Sequence, residues 1–113
     1  MMAGVTLSRK LVLETPERVA DGAGGYTRTW SVVGTLWADV SARSGREDAQ
    51  GTALISSTAF RITVRAAPYG APSRPRPEQR FRDGARVFAI LAVAERDPAG
   101  RYLTCYAQEE VAV

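Results

Sequence analysis

The stretch Arg80-Phe81-Arg82-Asp83-Gly84-Ala85-Arg86-Val87-Phe88-Ala89-Ile90-Leu91-Ala92-Val93-Ala94-Glu95-Arg96-Asp97-Pro98-Ala99-Gly100-Arg101-Tyr102-Leu103-Thr104-Cys105-Tyr106-Ala107 decides the fold. Its centre, Val87 to Ala94, is apolar at odd and even positions alike, the pattern of a strand covered on both faces. Periodicity alone also admits a helix of that length. Turn chemistry at both ends favours the strand: Asp83-Gly84 tolerates the positive φ of a tight hairpin, and Pro98 presets a turn that Gly100 closes. The next segment alternates, with Leu103, Cys105 and Ala107 on one face and Tyr102, Thr104 and Tyr106 on the other. Arg80 to Ala107 therefore reads as a meander on which the remaining strands pack.

Working outward, Thr58 to Ala66 shows the clearest alternation: Phe60, Ile62, Val64 and Ala66 form a core face, and Arg61, Thr63 and Arg65 an exposed one. Val5 to Glu14 reads as a first strand with Val5, Leu7, Leu11 and Leu13 inward. Thr15 to Gly25, with a proline and three glycines, reads as a surface loop. Tyr26 to Val33 is a β-branched and aromatic strand, and Gly34 marks a bulge or bend. The pattern resumes in Thr35 to Ala42, with Leu36, Ala38, Val40 and Ala42 inward and Trp37, Asp39 and Ser41 outward. An outward Trp37 has two readings, cover by another part of the same subunit or an anchor for a subunit interface. Ala67 to Pro77, with four prolines, is an extended connector. The tail after Ala107 is expected to fray.

Residues 43–57 leave two readings open. Ser44 and Glu47 stand at capping-box spacing, which allows a short helix from Gly45 to Gln50. Gly51 and the weakly patterned residues after it point instead to a long, mobile excursion, and long loops in compact domains are more often functional or disordered than idle. Ser44, Gly45, Arg46, Glu47, Asp48, Gln50, Thr52, Leu54 and Ile55 are the candidate partner-reaching residues. The expectation is a mainly β single domain spanning residues 1–113, a small antiparallel barrel or sandwich of five to six strands.

Composition narrows the function. With 113 residues the chain builds one modest core. It has no histidine, a single cysteine and a single lysine, Lys10. No Ser-His or Cys-His pair, imidazole zinc site, disulfide or thiolate cluster is therefore available. No convergent acid, base and nucleophile set is visible, so neither catalysis nor a cofactor is expected. No stretch has the apolar length of a membrane helix, and residues 1–6 lack the pattern of a secretory signal; a soluble chain used in a cytoplasm is the expectation. The net charge of +3 permits contact with nucleic acid without requiring it. Arg61, Arg65, Arg74, Arg76, Arg80, Arg82 and Arg86 cluster along the sequence. They read either as a phosphate footprint, with Tyr69, Phe81 or Tyr102 for base stacking, or as solvated and acid-paired arginines.

The order of the motifs carries a resemblance. Leu7-Ser8-Arg9-Lys10-Leu11-Val12-Leu13, Gly24-Gly25-Tyr26-Thr27-Arg28-Thr29-Trp30, Thr35-Leu36-Trp37-Ala38-Asp39-Val40, Ser44-Gly45-Arg46-Glu47, Phe60-Arg61-Ile62-Thr63-Val64-Arg65 and Gly84-Ala85-Arg86-Val87-Phe88-Ala89-Ile90 follow one another as in the head-tail joining proteins of tailed bacteriophages. The chain is similar to these head-closure, stopper or adaptor proteins, which gene transfer agents also use. The resemblance implies a structural neck protein without chemistry, made in the host cytoplasm and carried in the virion. It implies a ring of six or twelve copies between a portal-bound adaptor and a tail terminator, lining a conduit for packaged double-stranded DNA and helping to retain it, with no membrane contact. Ring contacts are head-to-tail and need complementary patches, for which Trp37, Arg61 and Arg65 are candidates. The alternative from another class is a small oligonucleotide-binding barrel using the arginine-rich face.

Overall fold

The computed structural model describes residues 4–43 and 59–110. Six strands follow in order: β1 (Arg9–Ala20), β2 (Tyr26–Ala42), β3 (Ala59–Arg65), β4 (Arg80–Asp83), β5 (Arg86–Glu95) and β6 (Tyr102–Glu110). Every pairing is antiparallel, and the sheet closes on itself in the order β1-β2-β3-β6-β5-β4. The expected all-β architecture holds. The possible helix at 45–50 and the candidate residues Ser44 to Ile55 lie outside the described residues.

Inward residues from all six strands meet in one core. Leu11, Leu13, Ala38, Ile62, Phe81, Phe88, Leu103 and Cys105 have no accessible surface, and Val64, Ile90 and Ala107 have almost none. Phe60 stands edge-on to Phe88, with ring centroids 5.2 Å apart at 81°, and each buried phenylalanine contributes about 1.5–3 kcal/mol of transfer free energy. The alternations of β3 and β6 put Ile62, Val64, Leu103, Cys105 and Ala107 inside as expected. Thr63, expected to be exposed, is buried, as is its cross-strand partner Thr104. Ala42, expected inward, is exposed at the end of β2.

The turns follow their chemistry. Gly84, at φ 62°, and Ala85 form the two-residue connection of β4 and β5, with Asp83 opposite Arg86. The Gly100 N–H donates to the Asp97 carbonyl at 2.9 Å, closing the turn before β6. At Gly34 the β1–β2 register slips by one residue, leaving Val33 without an opposite number, so β2 continues as one bulged strand.

Three expectations are corrected. β5 is not covered on both faces: Leu91 is the extra residue of a bulge between Ile90 and Ala92 and is 56% exposed, and Ala92 and Ala94 are exposed as well. The bulge shifts the inward parity from Phe88 and Ile90 to Val93, which makes a one-faced strand look continuously apolar. β6 does not fray after Ala107; Glu110 pairs with Val87 and Glu109 with Phe88, while the Glu109 carboxylate accepts from Arg86 Nε and Nη2 at 2.8 and 3.0 Å. β1 begins at Arg9, not Val5, and runs on through Pro16 to Ala20.

That last correction creates a feature of its own. β4 pairs with β1 only from Val12 to Glu14, and β3 pairs with β2 only from Ala38 onward. Thr15 to Ala20 and Tyr26 to Ser31 therefore pair only with each other among the described residues, as a two-stranded ribbon leaving the closed sheet. Pro16 is tolerated because this part of β1 is an edge. At the ribbon tip the Asp21 carboxylate accepts from the Ala23 and Gly25 N–H groups at 2.8 and 3.0 Å, and these bonds hold its carboxyl below the usual range. Gly22 and Gly24 supply the positive φ angles, 81° and 90°.

Candidate functional site

Strand parity and register decide what the outer face carries. Asp39 lies opposite Thr63 and Ser41 opposite Arg61 across β2–β3; Arg61 then faces Tyr106, Thr63 faces Thr104 and Arg65 faces Tyr102 across β3–β6. Trp37 shares the face of Asp39 and Ser41, so Trp37, Arg61 and Arg65, chosen from three separated sequence positions, stand on one continuous outer face. Trp37 is 55% exposed, and both arginines are exposed. Among the described residues, none covers Trp37 fully.

Tyrosines complete the face. The Arg65 guanidinium lies 5.9 Å from the Tyr102 ring centre, and Arg43 lies 5.7 Å from that of Tyr106. Thr63 and Thr104 sit between these larger side chains, at 4% and 5% exposure, and the exposed Ala92 and Ala94 on β5 extend a low, small-residue margin. Tryptophan, tyrosine and arginine are the residues enriched at the energetic centres of protein interfaces.

The seven arginines of the central sequence do not form one face. Arg80 Nε and Arg82 Nε donate to the two oxygens of Glu14 at 2.6 and 2.9 Å. Glu14 is itself 5% exposed. Burial pushes its carboxyl up, but the hydrogen bonds and charges of the two guanidiniums outweigh that and hold it below the usual carboxylate range. Arg86 is held by Glu109, and Arg74 is buried over Tyr69, 3.8 Å from the ring centre, donating to the Ala67 carbonyl. Phe81, a candidate for base stacking, is in the core. Of the cluster, Arg61 and Arg65 project from the outer face.

Sequence reasoning missed the Glu14 latch, because the strand order that sets Glu14 opposite Arg80 is not visible locally. It also missed the ribbon, although the alternation of Tyr26, Arg28 and Trp30 against Pro16, Arg18 and Ala20 was a signal. Cys105 is a small core residue whose thiol is pushed up to about 12 by burial. A cleft of about 310 Å³ between the ribbon base and the connector, lined by Thr15, Val33, Pro72, Arg76 and Gln79 among others, offers one cation and no carboxylate among the described residues.

A rigid closed sheet whose distinctive chemistry lies in an outward aromatic and arginine face belongs to the class of assembly proteins, which act by holding neighbours in place. Residues 2–110 match the phage head completion protein family, and the chain belongs to it. Membership makes it a structural component of a phage-type virion. A chain from the virion of a native gene transfer agent particle is 56% identical, over 95% of this chain and 98% of that one, with a TM-score of 0.75. A Shigella flexneri 2a protein known from a solution structure shares the fold at 23% identity, over 99% of this chain and all of that one, with a TM-score of 0.72. A search of curated proteins finds no match.

Proposed function

We propose that the chain is a neck protein that joins the capsid portal and its adaptor to the tail, assembling as a ring of identical copies around the path of packaged DNA and helping to retain the genome until the tail docks. The observation that carries this reading is the convergence of Trp37, Arg61 and Arg65, with Tyr102 and Tyr106, on one exposed face of a rigid sheet. A head-to-tail ring presents one patch of each subunit to a different patch of the next, and this face is one such patch. Membership of the head completion family and the likeness to a gene transfer agent virion chain support the same role.

The closed sheet supplies what a ring wall requires: strands locked on both sides around a single core, with little freedom to deform under pressure. The ends of β2 and β3 lie side by side, with the Arg43 N–H donating to the Ala59 carbonyl at 2.9 Å, and the connection between them is the proposed segment for reaching a neighbour or the lumen. The test is complementation of a strain lacking the gene. Trp37→Ala together with Arg61→Glu and Arg65→Glu should yield folded protein and filled heads that fail to join tails. Normal particles from this triple variant would remove the outer face from the proposal.

A further inference from the structure

We infer that one face of the β1–β2 ribbon is a binding surface for the phosphate backbone of duplex DNA, independent of base sequence. Arg18 and Arg28 are directly opposite each other in the ribbon, so both guanidiniums leave from the same face. Like charges directly opposed on paired strands destabilise them, and a two-stranded ribbon has little stability to spare. Among the described residues no carboxylate forms an ion pair with either arginine. A bound anion relieves the repulsion that the free ribbon carries.

The two charges are held in place by aromatic neighbours on that same face. Arg18 lies 4.4 Å from the centre of the Tyr26 ring and Arg28 lies 5.3 Å from that of Trp30. Arg80 also lies against Trp30, 4.1 Å from its ring centre, and Arg80 is anchored on Glu14. The base of the ribbon is thus tied to the closed sheet, while its arginine pair stands outward. The opposite face holds Thr15, Glu17, Val19, Thr27, Thr29 and Ser31, with one acid and no cation. The asymmetry means that positive charge is concentrated where aromatic rings orient it.

Charge complementarity selects the partner. The outer sheet face of a second copy would repel this pair, because that face is itself basic, with Lys10, Arg61 and Arg65 against Asp39. A polyanion matches. The paired segment, six residues at about 3.3 Å each, is about 20 Å long, and a two-stranded β-ribbon has the width that a DNA major groove admits. Guanidiniums stacked on rings keep their N–H forks free for phosphate oxygens.

This inference rests on the reading that the chain lies along the path of packaged DNA, and its test separates the two. The full-length chain is titrated with a labelled duplex of about 25 base pairs and mixed sequence, over a series of salt concentrations. The wild type should bind, and Arg18→Ala with Arg28→Ala should lower the slope of log affinity against log salt by about 2, with circular dichroism unchanged. Arg61→Ala with Arg65→Ala should leave that slope unaltered. Absence of duplex binding at low salt, transfer of the slope change to the Arg61 and Arg65 variant, or equal binding of a polyglutamate of similar charge would each overturn it. In complementation, the Arg18 and Arg28 variant should still enter particles; a wild-type chain that enters particles normally but does not bind duplex sinks this inference alone, whereas absence of the wild-type chain from particles sinks the neck reading.

Discussion

Replacing Glu14 with glutamine tests how the ribbon is fastened to the closed sheet. The substitution keeps the side-chain shape and removes the anion between Arg80 and Arg82. Removing one partner of a fully buried ion pair costs about 3–5 kcal/mol. The Arg80 and Arg82 side chains keep 19% and 37% exposure, so water takes up part of each stranded charge. That reduces the expected loss to about 2 kcal/mol at neutral pH, a fall in melting temperature of about 10 °C for a chain of this size. The pH dependence follows from the sign of the shift. The Glu14 carboxyl titrates lower in the folded chain than in the unfolded one, so its contribution is complete above the unfolded value of 4.5 and is lost as pH falls through the lower folded value. Urea unfolding of wild type and Glu14→Gln should therefore differ most near pH 7 and converge as the pH is lowered beneath about 4.5. A deficit that stays constant down to acid pH, or one below about 0.5 kcal/mol at pH 7, would show that the pair of arginines does not depend on this carboxylate.

Further outcomes follow from the same geometry. Trp37→Ala should weaken subunit or partner association by at least tenfold, read by sedimentation, and leave the monomer's unfolding curve nearly in place; a large loss of monomer stability would assign Trp37 to intrachain packing. Phe88→Ala should cost about 3–5 kcal/mol in urea unfolding, because the ring is fully buried against Phe60; a loss below about 1 kcal/mol would mean that the core is not built around it. Deleting 45–56 should leave a folded sheet by circular dichroism, since β2 and β3 pair directly up to Ala42 and Phe60, and should abolish tail joining in complementation; an unfolded product would place the segment in the core.

Much of this was readable from strand periodicity. Ile62, Val64, Leu103, Cys105 and Ala107 alternate with polar neighbours and went inside, because a half-buried strand has no other way to hide them. Parity likewise placed Trp37, Arg61 and Arg65 outward. That the three share one face depends on β2, β3 and β6 being neighbours, which is a property of strand order and register and leaves no local trace. The Leu91 bulge was hidden for a different reason: an apolar residue occupies the extra position, so the run from Val87 to Ala94 carries no mark of its parity change. The ribbon was hidden because Pro16, Glu17 and Arg18 have loop chemistry. Only an edge free of sheet partners makes a strand of them, and only the pairing of Glu14 with Arg80 of β4 shows where that edge begins.

The central claim is that this chain works as a structural part of the junction between head and tail, held by its outer sheet face. Cryo-electron microscopy of particles from cells encoding it tests this most directly. The account predicts density for the closed sheet in a ring at the neck, with Trp37, Arg61 and Arg65 buried against an adjoining subunit. Finding the chain in the capsid lattice or at the distal end of the tail, or finding that face open to solvent in the assembled particle, would contradict it.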